Sequence, residues 1–235
     1  MVGDLKAAAP ALPVDRTQLE QLAGWIKERP LWLAASTHAG EEEIVARVHR
    51  QVGANHPGLL TIIVPRHPAR GDAIHAMLTA RGLYVAQRRR GEPITDQTDV
   101  YLADTMGELG LFYSLAGIAF IGGSLVAKGG HNPFEAARLD CAVLYGPDTR
   151  NCTRMAAELA AAGAAETVSD TDGLARAVAA LLGDGPLRAE RSTAAKRVAL
   201  AGSDILDAVL MRLAPWLDRL APLEGHADPS RRLRA

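Results

Sequence analysis

Four short stretches of this chain carry the residue types that could do chemistry, and each directly follows a short apolar run. The densest, "GGSLVAKGGHNPFEAARLD" (122–140), follows "IAFI". Glycine in an element interior is costly, so clustered glycines mark a turn or a close backbone approach. Gly122, Gly123 and Ser124, then Gly130, His131 and Asn132, could bring backbone amides up to a phosphate. A helix starting at Pro133 would add the positive end of its dipole. Glu135 in the next turn would reach a sugar's hydroxyls as a two-bond acceptor. The pattern is not G-x-G-x-x-G after a first strand, and no G-K-[ST] is present, so neither the dinucleotide fingerprint nor a P-loop applies.

The other three stretches leave alternatives open. In Pro65-Arg66-His67-Pro68 two prolines flank an arginine suited to a bidentate grip on phosphate or carboxylate, or to a surface salt bridge. Ser36-Thr37-His38-Ala39-Gly40-Glu41 reads as a hydroxyl-capped helix start or as an anion site, the latter weakened by Glu41, Glu42 and Glu43. Asp104-Thr105-Met106-Gly107-Glu108 is either a helix start or a set of amides that read a base or sugar edge. His38, His67 and His131 could together hold a metal, but they come from separate loops and none has i,i+4 spacing, so the reading assigns no metal.

Positioning these stretches requires an alternating framework. Leu31–Ser36 and Leu59–Pro65 are apolar runs without polar alternation, as are "LYVAQRR" (83–89), "DVYLAD" (99–104), "GIAFIGG" (117–123) and "CAVLYG" (141–146). Between them lie amphipathic segments: 41–52, 68–82 (with Gly82 as the glycine just past the helix end), 107–116 and 153–163. Buried strands separated by helices predict a doubly wound parallel α/β sheet with helices on both faces. From Thr171 on the chain reads as helical, with Ser203 capping the last helix, Pro215 bending it and a mobile tail over 222–235. Residues 1–16 read as a linker and 17–221 as one domain. In such a sheet, ligands bind at the carboxyl ends of the strands.

Composition narrows the function. The 235 residues are 48% hydrophobic and 23% charged, with a formal net charge of −1. That balance disfavours nucleic acid as a partner, and 4% aromatics disfavour a base-stacking platform. Cys141 and Cys152 make no disulfide framework, and no apolar run reaches membrane-spanning length, so the expectation is a soluble chain in a reducing compartment.

"WLAASTHAGEEEIV", "TIIVPRHPAR", "VYLADTMGELGLFYSLAGIAFIGGSLV" and "GGHNPFEAARLDCAVLYGP" resemble, in that order, the C-terminal half of the bacterial 3-deoxy-D-manno-octulosonic acid (Kdo) transferases. The resemblance covers roughly residues 2–182. It implies half of a GT-B glycosyltransferase, in which two Rossmann-like domains face a cleft and this one binds the sugar nucleotide CMP-Kdo, a substrate rather than a cofactor. The whole enzyme would transfer Kdo to a lipid A precursor, with inversion, at the cytoplasmic face of the inner membrane. On this resemblance Gly122, Gly123, Ser124, Gly130, His131 and Asn132 cradle the phosphate and Glu135 holds the ribose. Arg66, with His67 beside it, binds nucleotide or the Kdo carboxylate. Asp104 to Glu108 line the cytidine or Kdo pocket, and Ser36, Thr37 and His38 border the donor site.

The family's N-terminal domain, with its catalytic base and membrane-facing segment, has no counterpart here, so the expectation is a chain that binds donor without turnover. Ala136 and Ala137 stand where the family tends to a proline after the glutamate, and Cys152 where an aromatic is frequent. Other readings are a different GT-B sugar-nucleotide enzyme, a non-catalytic nucleotide-binding domain, or a general α/β fold whose glycines serve only turns.

Overall fold

Seven short strands form one wholly parallel sheet in the computed structural model, which describes residues 11–201 together with Arg212 and Trp216. The expectations for Ser203, Pro215 and residues 222–235 lie outside the described residues. The strands are β1 (Leu31–Thr37), β2 (Leu60–Pro65), β3 (Val85–Gln87), β4 (Val100–Leu102), β5 (Ile118–Ile121), β6 (Ala142–Tyr145) and β7 (Ala165–Thr167). Their order across the sheet is β3-β4-β2-β1-β5-β6-β7, and every adjacent pair is parallel. The helices are α1 (Arg16–Ile26), α2 (Glu41–Gly53), α3 (Gly71–Ala80), α4 (Leu109–Ala116), α5 (Pro133–Arg138), α6 (Thr153–Ala161), α7 (Thr171–Gly183) and α8 (Gly185–Ala201). This is the Rossmann-like, doubly wound architecture.

The period of two along each strand divides the core between two layers. Leu33, Ala35, Ile62, Ala119, Ile121, Val143 and Tyr145 face α1, α4, α5, α6 and α8. Trp32, Ala34, Ile63, Phe120, Ala142 and Leu144 face α2, α3 and α7. Both faces of the central strands are therefore buried, and that is why their sequence is a continuous apolar run.

Two elements escaped the reading of the sequence. α1 starts behind Asp15, whose carboxylate accepts from the Gln18 amide at 3.1 Å, and buries Leu22 and Ile26. β7 is a three-residue edge strand with no apolar run to announce it. The third strand is also shorter than expected, because Arg88–Arg90 turns into a 3-10 segment.

At the two stretches where a helix start is one of the open readings, the helix begins without a side-chain cap. Gly40, left-handed at φ 96°, precedes α2, and Glu108 precedes α4; neither offers a side-chain cap. The Thr37 hydroxyl donates to Glu42 at 2.9 Å instead, and Asp104 is turned into the sheet edge. Gly82 does lie just past α3, with φ 77° and its amide on the Thr79 carbonyl at 2.8 Å.

Gly24, inside α1, is one of the glycines with room to spare. A Cβ at Gly24 in α1 would meet nothing within 4 Å. Gly24→Ala should therefore stabilise the protein by about 0.5–1 kcal/mol. Thermal unfolding should then register a rise of about 1–4 °C, and a fall would show that α1 is not helical there.

Candidate functional site

The strand order reverses between β1 and β5: β2, β4 and β3 follow on one side, β6 and β7 on the other. Loops leaving the carboxyl ends of two such neighbours diverge to opposite faces and open a crevice. The end of β1 and the loop after it carry Ser36 to Gly40, and the loop after β5 carries Gly122 to Asn132. Two of the four chemistry-bearing stretches thus meet at the switch point.

Their meeting explains the glycines. β1 breaks register at Ser36, which sits at φ 56°, a conformation few non-glycine residues adopt. This swings the Ser36 carbonyl toward β5, so a Cβ on Gly122 would lie 2.6 Å from that oxygen and 2.8 Å from Thr37 Cα. A Cβ on Gly123 would press on the His131 and His38 rings at 3.2–3.3 Å, and one on Gly129 would run into the Asn151 side chain. Close backbone approach is what the glycines permit, and here the approaching group is the protein itself.

The amides of these glycines are engaged too. Gly122 donates to the Ala35 carbonyl at 2.7 Å and Gly130 to the Gly123 carbonyl at 2.8 Å. Glu41 lies fully buried beneath the loop. Its carboxylate accepts from the amides of Gly123 (2.7 Å), Ser124 (3.1 Å) and Leu125 (3.1 Å), and from that of His38 on its own side (2.9 Å). Burial raises the Glu41 carboxyl above its ordinary range, and the amide donors oppose that rise. The concavity expected to cradle a phosphate is filled by an internal carboxylate, so Gly122, Gly123, Ser124 and Gly130 shape the site without offering it an amide. Ser124 is likewise committed, its hydroxyl bridging Ile121 and Gly146.

Glu42 does parallel work on the other flank. It is buried and receives Arg70 through both oxygens, at 2.8 and 3.0 Å, besides the Thr37 hydroxyl. This bidentate pair ties the first turn of α2 to the turn before α3, and the Thr37 bond brings in the end of β1. Neither glutamate stood among the expected site residues. An acidic first helical turn is ordinary, and nothing in the local sequence says that Glu41 meets amides more than eighty positions away.

A cavity of about 340 Å³ opens beside this junction. Ser36, Arg66, Thr105, Met106, Gly107, His131, Asn132 and Glu135 line it, joined by Val64, Pro65, Pro68 and Leu109. All four sequence stretches therefore contribute to one wall or another. Its volume falls in the range usual for small-molecule sites. Arg66 is exposed and, among the described residues, pairs with no acidic side chain. Glu135 is half-buried; Asn132 Nδ2 donates to it at 3.4 Å, while Asn132 Oδ1 caps the Phe134 amide at 3.0 Å. Burial pushes the Glu135 carboxyl up, partly offset by Asn132 and by Arg138 and Arg66. One cation, one acceptor and a mixed polar and apolar lining suit a ligand with an anionic group and vicinal hydroxyls.

The three histidines also converge, although only His131 lines the cavity. His38 Nε2 lies 2.9 Å from His131 Nε2, with the rings parallel and their centroids 5.2 Å apart. His67 meets His38 edge-on at 5.6 Å.

Asp104 and Glu108 sit behind the wall that Thr105 to Gly107 form. Asp104 is buried and accepts from Gln87 Nε2 at 2.6 Å and from the Arg89 amide at 3.1 Å. Glu108 is gripped by both ends of the Arg88 guanidinium and takes the Thr105 hydroxyl; Arg88 holds its carboxyl below the usual range. Arg88 further reaches Tyr101 and, in α1, Gln18. These two carboxylates brace the lip that was expected to contain them as ligands.

The Glu41 junction sets a stability test. Glu41→Ala leaves several buried amides without an acceptor, which should cost at least about 3 kcal/mol. Gly122→Ala forces a methyl into backbone and should cost a comparable amount, on the order of 2–3 kcal/mol. Denaturant titration of both variants checks this. A loss under about 1 kcal/mol in Glu41→Ala would mean that water or another group replaces the carboxylate.

No protein-family model matches the chain. Among curated proteins it is 40% identical, over 198 residues, to the 3-deoxy-D-manno-octulosonic acid transferase of Haemophilus influenzae, covering 83% of this chain and 46% of that protein. The chain thus spans about half the length of the curated relatives it matches. Among solved structures, Anabaena HepE in complex with UDP-glucose superposes with a TM-score of 0.58 at 13% identity, a likeness that shows the fold alone. The C-terminal CMP-Kdo binding domain of WaaA from Acinetobacter baumannii superposes with a TM-score of 0.74 at 32% identity, covering 77% of this chain and 96% of that one. With that correspondence over nearly the whole of the C-terminal domain, this chain belongs to the 3-deoxy-D-manno-octulosonic acid transferase family and corresponds to its C-terminal portion.

Proposed function

We propose that this chain is the donor-binding half of a Kdo transferase of lipopolysaccharide biosynthesis, and that the crevice between the β1 and β5 loops takes CMP-Kdo. The observation that carries the reading is the lining of that crevice. An arginine that pairs with no acidic side chain among the described residues and a half-buried glutamate line a cavity of about 340 Å³, in a chain similar over most of its length to a CMP-Kdo binding domain. Glu135 accepts the two ribose hydroxyls. Arg66, fixed between Pro65 and Pro68, grips the phosphate or the Kdo carboxylate, and Thr105 to Gly107 cover the base.

In the reaction the bond from the anomeric carbon of Kdo to the phosphate oxygen breaks, CMP leaves with the electron pair, and a hydroxyl of the lipid A precursor (lipid IVA) attacks from the opposite face. Arg66 and the His131 side of the cavity would stabilise the charge gathering on the departing phosphate. The base that takes the hydroxyl proton belongs, on this reading, to an N-terminal domain, which also binds the lipid at the cytoplasmic face of the inner membrane. Among the described residues no helix is long and apolar enough to cross a membrane, in keeping with a donor domain that reaches the lipid only through its partner domain. On this reading turnover needs that base as well as the donor site, and CMP-Kdo enters as a substrate rather than a cofactor.

Calorimetric titration with CMP, and with UMP as control, tests this. CMP should bind at least about tenfold more tightly, the worth of one base-edge hydrogen bond. Glu135→Ala should weaken CMP by about ten- to a hundredfold, as loss of a charge-assisted acceptor requires. Arg66→Ala should weaken it similarly and flatten its salt dependence. Equal affinity for CMP and UMP would reject a cytidine nucleotide as the donor, and unchanged binding in Glu135→Ala would move the site elsewhere.

A further inference from the structure

His38 and His131 point their Nε2 atoms at each other, 2.9 Å apart, from two different loops at the switch point. A bond of that length between imidazole nitrogens needs one N–H donor and one bare acceptor. The neutral pair therefore holds one ring as the Nε2–H tautomer and the other as the Nδ1–H tautomer. The Nδ1 atoms have no hydrogen-bond partner among the described residues. One added proton goes to the open Nδ1 of the donor ring and leaves the Nε2–H···Nε2 bond intact, now charge-assisted. A second proton would set two N–H groups against each other and break it. The pair accommodates one extra proton and not two.

We propose that His38 and His131 act as one proton-sharing unit, with His38 the positioning residue, and that the unit takes up a proton from solvent when an anionic nucleotide enters the crevice. The inference rests on the nucleotide reading of that crevice.

The surroundings supply the bias. Without ligand the pair is kept neutral. Burial, then His38, Arg66 and His67, push His131 down to about 4. Burial, His67, Lys128 and Arg70 also lower His38, with Glu42 opposing. Glu41, whose carboxylate holds the His38 amide, and Glu135 across the cavity are the other charged groups facing the pair. Positive neighbours thus outnumber the acceptors with spare capacity, because Glu41 and Glu42 are already saturated by amides, Thr37 and Arg70. A phosphate and a sugar carboxylate beside Arg66 and His131 reverse that balance, and the shared proton lets the wall gain a charge on binding and lose it on release.

The test is calorimetry of this chain with CMP at pH 7 in two buffers of different ionisation enthalpy, on wild type, His38→Gln and His67→Asn. A glutamine at 38 can donate an amide N–H to His131 but cannot share a proton. CMP's own phosphate titrates near pH 6 in all three proteins, so the difference between them is the readout. Wild type and His67→Asn should take up protons in excess of His38→Gln. Between pH 8 and 6.5 their CMP affinity should rise about three- to tenfold more than in that variant, as linkage requires. Equal uptake in wild type and His38→Gln, with CMP bound by both, overturns the inference and leaves the nucleotide reading standing. Absence of CMP binding to folded wild type at either pH overturns both. Imidazole 15N shifts of wild type decide the matter without any variant: CMP should bring one proton to the pair, and unchanged ring shifts on saturation overturn the proposal.

Discussion

The Glu41 carboxylate is the interaction on which the rest of the site depends. It is an anion buried at the junction of two loops, held by four backbone amides, three from the β5 loop and one from its own. Backbone amides turned inward with no acceptor would each carry a desolvation penalty, and so would an unpaired buried carboxylate. Each solves the other's problem, and the solution dictates geometry. The β5 loop must come within hydrogen-bond reach of the first turn of α2. Gly122 and Gly123 are then the residues small enough to let β1 and the histidine rings pass. Ser36 takes up its left-handed conformation in the same place, where the two chains are closest.

From that junction the walls of the crevice follow in order. The Glu42–Arg70 pair draws the β2–α3 turn inward, and with it Pro65, Arg66 and Pro68. The Gly123–Gly130 hydrogen bond folds the glycine arch back, so that His131, Asn132 and the start of α5 face the same space. On the far side the Arg88–Glu108 grip, tied to Gln18 in α1, holds Thr105 to Gly107 as a lip. Charge is distributed accordingly: the buried carboxylates are neutralised within the frame, whereas Arg66 and Glu135 keep their bonding capacity for the cavity. A frame that satisfies its own buried charges and leaves a few convergent groups unsatisfied is what preorganisation means in physical terms.

The same logic tells bracing residues from contacting ones. Asp104, just past β4, and Glu41, at the start of α2, are both acidic and both buried, yet each is surrounded by donors from the protein. Glu135 has one long bond to Asn132 and a solvent-facing side. Sequence position does not separate these three carboxylates; the number of donors already around each one does.

Read without coordinates, the chain discloses the sheet, its parallel sense and the four loops at its carboxyl end, because burial on both faces leaves continuous apolar runs and because helices must cross between parallel strands. It also discloses the family, through the long segments around Ser36, Arg66, Asp104 and His131. It says less where an element carries little pattern, as in three-residue β7 or in α1 behind Asp15. Only the tertiary structure decides what the glycines are for and which carboxylates face the ligand. Those questions turn on pairs such as Glu41 with Gly123, or His38 with His131, whose members lie more than eighty residues apart and meet because the strand order reverses between β1 and β5. Local composition fixes which groups are available, whereas the sheet's topology fixes which of them arrive within hydrogen-bond distance of one another.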